Sequence, residues 1–230
     1  MKVEILNDAD AVARRAAELI ASDARSAIAA RGVFTFAVSG GRTPWEMLRC
    51  LGEMEVPWHE VHLFQVDERV APTGDPDRNF THIGETLLSR AALPLNRIHP
   101  MPVDETDLTA AVARYIASLG AAAGSPPVLD LVHLGLGPDG HTASLVPGDP
   151  VLDVVDADVA LTGAYQNRRR MTLTYPLINR ARRILWVVTG ADKAAMLERL
   201  RARDASIPAG RVDQARAILL ADRPAAGNRD

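Results

Sequence analysis

The stretch VFTFAVSGGRTP, residues 33–44, carries the clearest signal for the fold. Its first half, residues 33–38, is rich in aromatic and β-branched side chains and is typical of a buried strand. The two glycines end the strand. We predict a helix there with Thr43 as N-cap, Pro44 as first helical residue and Glu46 completing a capping box. The stretch therefore predicts a buried strand that turns abruptly into a helix.

Apolar strands and amphipathic helices alternate along the rest of the chain. We predict helices over residues 8–30, from 43, over 79–89, around 108–119 and over 191–203, and strands over 61–66, 129–136, 159–161, 171–175, 184–188 and 217–220. Gly32 ends the first helix and Asn79 caps the third, while the polar residues 70–78 form a loop. Continuous apolar strands alternating with helices indicate a mostly parallel sheet covered on both faces, so the predicted fold class is α/β.

The composition excludes several classes of function. The 230 residues are 47% hydrophobic and 24% charged, as expected for one globular domain, which we place at residues 1–222 with a frayed tail at 223–230. A net charge of −3 indicates no surface for nucleic acid or an anionic membrane, and no apolar run is long enough for a membrane span. Cys50 is the only cysteine, which excludes an internal disulfide and a zinc-ligand cluster and fits a reducing cytoplasm.

The segment SGGRTP, residues 39–44, has the features of an anion site. Gly40 and Gly41 let the backbone approach a ligand closely, and free N–H groups at a helix start favour an anion. Arg42 adds a bidentate donor suited to phosphate. The alternative is a tight turn with a solvated arginine. The segment is not a P-loop, because no Gly-Lys-Ser/Thr follows.

Asp67-Glu68-Arg69 comes directly after the predicted strand 61–66. Carboxylates at this position lie at the edge where open α/β sheets bind ligands. Taken alone, the segment is explained more simply as an ion pair within a loop.

The segment GLGPDGHT, residues 135–142, presents Asp139 and His141 from a glycine-rich loop after a strand. This setting suits acid–base chemistry better than that of any other histidine in the chain. The segment formally matches the dinucleotide pattern G-x-G-x-x-G. However, Pro147 and Pro150 leave no room for the helix that this pattern needs, so we reject that interpretation.

Basic residues also lie next to two of the later predicted strands. Arg168, Arg169 and Arg170 come before the strand 171–175. Lys193, one of only two lysines among 26 basic residues, follows the strand 184–188 and would point a cation into the crevice at the strand ends. A solvated basic patch explains at least two of the three arginines.

Together these segments resemble the 6-phosphogluconolactonase family. The matching stretches are residues 39–44, 67–69 with Asn79 and Phe80, 135–148, and 170–174 through Lys193, in this order along the chain. The resemblance implies a three-layer Rossmann-like sandwich, shared with glucosamine-6-phosphate deaminase and ribose-5-phosphate isomerase. One departure is visible: the family usually has prolines shortly before the arginine that matches Arg170, where this chain has Tyr165-Gln166-Asn167. Which of the three arginines contacts phosphate stays open.

The resemblance implies an enzyme that hydrolyses 6-phospho-D-glucono-1,5-lactone to 6-phospho-D-gluconate in the oxidative pentose phosphate pathway, with no metal or cofactor. It implies that the lactone is lined by His141, Asp139, Asp67 and Arg69. It assigns substrate and phosphate binding to Ser39, Gly40, Gly41, Arg42, Thr43, Asn79, Arg170 and Lys193.

The chemistry of a lactone, which is an ester, predicts the roles of these groups. Hydrolysis needs an activated water, a stabilised oxyanion and a protonated ring oxygen. We predict that His141 acts as the general base and later as the acid. Asp139 or Asp67 orients the histidine or the water, and Arg69 or nearby backbone N–H groups stabilise the oxyanion.

Two alternatives stay open. Glucosamine-6-phosphate deaminases carry Phe-Asn-Glu-Pro-Gly where this chain has SLVPG at residues 144–148. A non-catalytic effector domain that binds a sugar phosphate would need a DNA-binding module, for which we find no spare segment. We expect a small phosphorylated lactone as the partner, neither nucleic acid nor membrane, a cytoplasmic location and a monomer or homodimer.

Overall fold

Strands and helices alternate along the chain in the computed structural model, which describes residues 1–227. The elements are β1 (Lys2–Leu6), α1 (Ala9–Arg31), β2 (Phe34–Val38), α2 (Arg42–Gly52), β3 (Val61–Gln65), β4 (Asp67–Arg69), α3 (Asn79–Ile83), β5 (Ile98–His99), α4 (Leu108–Ala123), β6 (Leu131–Leu134), β7 (Val159–Leu161), β8 (Arg170–Leu173), α5 (Tyr175–Arg180), β9 (Ile184–Val188), α6 (Ala194–Arg201) and β10 (Ala217–Asp222). A π-helical turn, Gly84–Leu88, continues α3, and a 3₁₀ turn, Ala191–Lys193, precedes α6.

Seven strands form one parallel sheet in the order β1-β10-β9-β6-β2-β3-β5. Three short strands form a second, antiparallel sheet in the order β4-β8-β7. Val66 joins the two sheets, because its N–H donates to Val38 O (3.0 Å) and its carbonyl accepts from Leu173 N–H (2.8 Å). The small sheet is therefore attached at the carboxyl ends of the parallel strands, which is where such sheets bind ligands.

The parallel sheet has a hydrophobic core on each face. Phe34, Phe36 and Val38 of β2 pack on one side with residues of α1, α2 and α3. Ala37 faces the other side, where α4, α5, α6 and the small sheet cover a second core. This alternation follows from the two-residue period of a strand. The predicted α/β sandwich with a mostly parallel sheet is confirmed.

Helix α1 shows how closely local signals set an element. Its buried residues Val12, Ala16 and Ile20 recur at helical spacing, and the Asp8 carboxylate accepts from Ala11 N–H (2.8 Å) at the start. Gly32 ends the helix with φ 77°, a left-handed conformation that glycine adopts without steric cost. The predicted helix over residues 8–30 is confirmed.

Both predicted side-chain caps are wrong. Helix α2 begins at Arg42 without a side-chain cap, since the Thr43 hydroxyl bonds instead to Thr189 Oγ1 (2.5 Å) and Glu46 pairs with Arg49. Asn79 is the first residue of α3 and turns its side chain away from the helix start. Contacts made across the fold have displaced the local ones.

Four elements were not predicted: β1, β4, β5 and α5. Strands β4 and β5 have three and two residues, too short for an alternating pattern to show. Strand β1 is an edge strand with partly exposed side chains on both faces. The predicted strand 171–175 is β8, which lies in the antiparallel sheet and is followed directly by α5.

The segment after β10 is ordered over residues 223–227. Ala225 is buried, its N–H donates to Asp222 Oδ1 (2.8 Å), and Arg223 N–H donates to Leu6 O (2.9 Å). The predicted frayed tail covers residues 223–230, of which residues 223–227 make these contacts and residues 228–230 lie outside the described part of the chain. No helix within residues 1–227 is both long and apolar enough to cross a membrane.

Candidate active site

Most of the predicted site residues line one cavity of about 530 Å³, which we call the main cavity. It lies where the chain leaves β2, β3 and β6, at the carboxyl edge of the parallel sheet. Its lining consists of Ser39, Gly40, Gly41, Arg42, Asp67, Arg69, Asn79, Gly135, Leu136, Gly137, Pro138, His141, Ala143, Gln166, Arg170 and Lys193. Thr43 lines a neighbouring cavity of about 500 Å³, and Asp139 contacts His141 from outside the main lining.

The turn of residues 39–41 brings the backbone close to the cavity. A side chain at Gly40 would overlap the Asn79 amide, and Gly41 has φ 123°, so both positions require glycine. Within residues 1–227 the N–H groups of Gly40 and Gly41 donate to no other backbone group. With Arg42 at the start of α2, this turn offers several donors to an anion.

Asp67 is a buried carboxylate at the floor of the cavity. Its Oδ2 accepts from Ser144 Oγ (2.6 Å), while Oδ1 accepts from Ser39 Oγ (3.3 Å) and Asn79 Nδ2 (3.5 Å). These donors satisfy a charged group that would otherwise be costly to bury. Asp67 is thus fixed by residues from three distant segments, and Ser144 is a contact that sequence reasoning missed.

Glu68 has a structural role and pairs with the buried Arg78, whose Nε lies 3.6 Å from Glu68 Oε2. Its carboxylate is fully buried and accepts from the N–H groups of Arg69, Asn79 and Phe80, each at 2.8 Å. It therefore caps α3, the function that we had assigned to Asn79. The Asn79 side chain is then free to donate to Asp67 O (2.9 Å) and to accept from Arg69 Nη1.

His141 and Asp139 form a hydrogen-bonded pair in the glycine-rich loop. Asp139 Oδ1 lies 2.5 Å from His141 Nδ1, and Oδ2 accepts from the Tyr165 hydroxyl (3.0 Å). Burial acts to raise the pKa of Asp139, but the charge of His141 and the hydrogen bonds from His141 and Tyr165 bring it below its ordinary value. Asp139 is therefore ionised at neutral pH, and its contact with Nδ1 leaves the other ring nitrogen of His141, Nε2, outside this pair.

The loop glycines make room for this pair. A side chain at Gly137 would overlap the His141 ring, and the Gly137 N–H donates to His141 O (2.8 Å). At Gly140, with φ 84°, a side chain would strike Ile207. The pattern that formally resembles a dinucleotide fingerprint thus serves to turn a loop tightly around a histidine.

Of the three consecutive arginines at residues 168–170, Arg170 is the one that lines the main cavity. Its residue is 4% exposed, Nη2 donates to Gln166 Oε1 (3.2 Å), and Nε has no partner within residues 1–227. Burial lowers the pKa of this guanidinium from its ordinary value, an effect that the charge of Asp67 opposes. Arg168 pairs instead with Asp77 (3.0 Å), and neither Arg168 nor Arg169 belongs to the lining of the main cavity.

Lys193 lies on the boundary of the two cavities, between the turn of residues 39–41 and the segment after β9. Its ammonium group pairs with Asp192 Oδ2 at 2.9 Å. The hydrogen bond from Lys193 lowers the pKa of the exposed Asp192 carboxyl. The position on the cavity wall matches the prediction, whereas the neighbouring carboxylate was not expected.

His133 supports the site from below and was not predicted. It is fully buried on β6, and its Nδ1 accepts from the Ser39 N–H (3.2 Å). Burial lowers the pKa of His133 to about 3, so the ring is neutral. The sequence contained one signal for this role, because His133 is a polar residue on an apolar strand that leads into the glycine-rich loop.

Comparison with known proteins decides the family. The model of the family described as glucosamine-6-phosphate isomerases/6-phosphogluconolactonase matches residues 7–220. The chain belongs to this family. The resemblance predicted from the motifs is thereby confirmed.

Relatives and solved structures of this family cover nearly the whole chain. The 6-phosphogluconolactonase of Nostoc sp. is 36% identical over 207 residues, covering 88% of this chain and 86% of the relative. The 6-phosphogluconolactonase of Mycobacterium tuberculosis is 35% identical over 238 residues, covering 97% and 96%. The crystal structure of the Thermotoga maritima 6-phosphogluconolactonase has a TM-score of 0.86 at 27% identity, covering 96% of this chain and 98% of that one.

A monomeric glucosamine-6-phosphate deaminase is also similar in structure. Its TM-score is 0.84 and each chain covers all of the other, but the identity is only 18%. This likeness shows the fold alone. It confirms the expectation that the sandwich is shared between family members of different chemistry.

Proposed function

We propose that this chain hydrolyses 6-phospho-D-glucono-1,5-lactone to 6-phospho-D-gluconate, the lactonase step of the oxidative pentose phosphate pathway, with His141 as the general base. Relatives that carry the name 6-phosphogluconolactonase at 35–36% identity support the activity. The observation that carries the mechanism is the His141–Asp139 pair on a cavity whose other charged groups are mostly cationic. Such a pair suits proton transfer, and such a cavity suits a phosphorylated substrate.

The first step is attack by water on the lactone carbonyl. Asp139 accepts from Nδ1 of His141, so the lone pair of Nε2 is available to take a proton from water. As the water oxygen bonds to C1, the carbonyl oxygen gains negative charge. Arg69 lines the same cavity and is the proposed donor to this oxyanion, together with nearby backbone N–H groups.

The second step is opening of the ring. The tetrahedral intermediate collapses and the bond between C1 and the ring oxygen breaks. The imidazolium of His141 returns its proton to that oxygen, which becomes the hydroxyl group of the product. No group on the enzyme is modified, and the histidine ends neutral and ready for the next water.

The phosphate group of the substrate belongs at the cationic side of the cavity. Arg42, Arg170 and Lys193 line it together with the turn whose Gly40 and Gly41 N–H groups donate to no backbone group within residues 1–227. The unpartnered Nε of Arg170 supports this assignment, because a buried donor without an acceptor is costly unless a ligand supplies one. Ser39 and Asn79 complete the lining and position Asp67.

Kinetics of the His141→Ala variant test this proposal. We expect kcat to fall at least about 10²-fold with little change in KM, because a general base acts in the transition state. His59→Ala, at an exposed position outside the cavity, is the matched control and should retain wild-type kinetics. The assay uses fresh lactone and subtracts spontaneous hydrolysis. A His141→Ala variant with near-normal kcat would remove this histidine from the mechanism.

The same preparation separates the alternative functions. A deaminase would release ammonia from glucosamine 6-phosphate, and an effector domain would bind the sugar phosphate without turnover. We further propose a cytoplasmic location, which the free thiol of Cys50 supports. We also propose that the enzyme works as a monomer or homodimer, which light scattering on the purified protein checks.

A further inference from the structure

The connection between β7 and β8 is a tight hairpin at the rim of the main cavity. Tyr165 N–H donates to Arg168 O (3.0 Å) and Arg168 N–H donates to Tyr165 O (3.2 Å). The two residues between them, Gln166 and Asn167, have φ values of 52° and 62°. These are the left-handed conformations of a two-residue type I′ turn, which fixes where residue 165 lies.

Tyr165 contacts three site residues at once. Its hydroxyl donates to Asp139 Oδ2 (3.0 Å), and its ring lies edge-on to the ring of His141, with centroids 5.5 Å apart. The Arg170 guanidinium carbon lies 5.1 Å from the centroid of the same ring. The hairpin therefore brings one side chain between the acid–base pair and the buried arginine.

We propose that Tyr165 is a positioning residue that orients the Asp139–His141 pair through its hydroxyl and supports Arg170 through its ring. The inference rests on the proposed function and adds a residue at the place where this chain departs from the usual prolines of its family. The hydroxyl and the ring act on different partners, so each can be tested separately.

The hydroxyl affects the basicity of His141. With Tyr165 donating to Oδ2 and His141 to Oδ1, both oxygens of Asp139 share their charge with a donor. Without the hydroxyl, the carboxylate keeps more of its charge for His141 and stabilises the protonated ring more strongly. Substitution of Tyr165 leaves the other charged groups that line the cavity unchanged. These groups are Arg42, Asp67, Arg69, Arg170 and Lys193.

The ring affects the buried cation. An aromatic face beneath a guanidinium stabilises the charge and restricts its position. Gln166 contacts the same guanidinium from the next residue of the turn, with Oε1 3.2 Å from Nη2. Loss of the ring would free one side of Arg170 and weaken its contact with the phosphate group of the substrate.

Two variants separate these effects. Tyr165→Phe keeps the ring, so we expect an unchanged KM at the pH optimum and an acidic limb of the kcat profile displaced upward by about 0.5–1 pH unit. Tyr165→Leu removes both groups, so we expect the same displacement and in addition a KM for the phosphorylated lactone raised about 3–10-fold.

Tyr175→Phe is the matched control. Tyr175 also donates its hydroxyl to an oxygen, that of Pro208 at 2.9 Å, and also lies beneath an arginine, Arg211 at 5.0 Å, but it lies outside the main cavity. This variant should change neither the pH profile nor KM. Equal thermal unfolding midpoints for Tyr165→Phe and wild type would show that the fold is intact.

The result that overturns the inference is an acidic limb of Tyr165→Phe that coincides with that of the wild type. NMR titration of the His141 ring measures the same displacement without turnover, so it decides the question even if the activity differs from the one proposed. A wild-type enzyme that does not open the lactone refutes the proposed function. An active wild type with an undisplaced Tyr165→Phe profile refutes only the role of Tyr165.

Discussion

Lys193 is the residue that we propose sets the preference for a phosphorylated substrate. The chain uses arginine for nearly all of its cations, and Lys193 is one of two lysines. Its compact ammonium group lies on the cavity wall and pairs with Asp192, an exposed carboxylate. In the proposed site, a bound phosphate dianion would compete with Asp192 for the ammonium and would replace this pair.

Lys193→Ala should therefore selectively weaken the binding of the phosphorylated lactone. One charge-assisted hydrogen bond contributes about 1.5–3 kcal/mol, which corresponds to about 10–150-fold in affinity. Unphosphorylated gluconolactone should be scarcely affected, because it has no dianion. Lys193→Arg should recover only part of the loss, since a planar fork does not replace a point charge.

Kinetics on the two lactones, with Lys2→Ala as control, measure this preference. Lys2 is the other lysine of the chain and lies exposed on β1, far from the cavity lining. If Lys193→Ala keeps the wild-type preference for the phosphorylated substrate, the lysine is not part of the phosphate site, although the enzyme remains a lactonase.

At the scale of elements, β6 and the turn after β2 are joined by His133. Its Nδ1 must be unprotonated to accept from Ser39 N–H, and burial lowers the pKa of the ring to about 3. In the unfolded chain a histidine has a pKa of about 6.5. Between about pH 6.5 and 3 the unfolded chain therefore takes up a proton at residue 133 that the folded chain does not, and the stability falls as the pH falls.

His133→Asn should flatten this pH dependence. The asparagine oxygen can accept from the Ser39 N–H but does not titrate. Urea unfolding at pH 7, 6 and 5 should show that the variant loses less stability per pH unit than the wild type. The difference should approach about 1.4 kcal/mol per pH unit, the value for one proton.

Two features keep the His133 measurement specific. His99, whose pKa burial lowers to about 4, adds a similar slope, but it is present in both proteins and cancels in the comparison. His59→Asn, at an exposed position, is the control. Equal slopes for wild type and His133→Asn would show that the buried ring does not set the acid sensitivity.

Long elements were predictable because one signal covers many residues. Helix α1 has 23 residues, a cap at each end and a buried face that repeats for six turns. Strand β2 is buried at all five positions, and four of its five residues are apolar. Strand β4 and the caps of α2 and α3 were not predictable from local patterns. Glu68, for example, accepts hydrogen bonds from residues 11 and 12 positions further along the chain, and no local pattern indicates such a contact.

At the scale of the molecule, the parallel sheet explains why the site could be predicted at all. The carboxyl ends of parallel strands meet at one edge, so residues as distant as Ser39 and Lys193 reach the same cavity. The supporting contacts followed no such rule. Ser144 meets Asp67 across 77 residues and His133 meets Ser39 across 94, through the packing of the small sheet and the buried core.

We propose that the enzyme is metal-independent, an inference from the distribution of possible metal ligands within residues 1–227. Within residues 1–227 no three His, Cys, Asp or Glu side chains are placed to hold a metal ion. His62 and His99 lie side by side, but their ring nitrogens are 2.9 Å apart and bond to each other. A catalytic zinc site needs three convergent protein ligands.

Activity should therefore survive exhaustive dialysis against EDTA, with kcat and KM unchanged. In the proposed mechanism His141, oriented by Asp139, takes the proton from water, and the cationic lining offers the charge that a metal would otherwise supply. A zinc-dependent hydrolase dialysed in the same buffer is the control for effective chelation. Loss of lactonase activity that one added metal restores would replace the histidine-only mechanism with a metal-assisted one, and the ligands would then have to come from groups that the folded chain keeps apart.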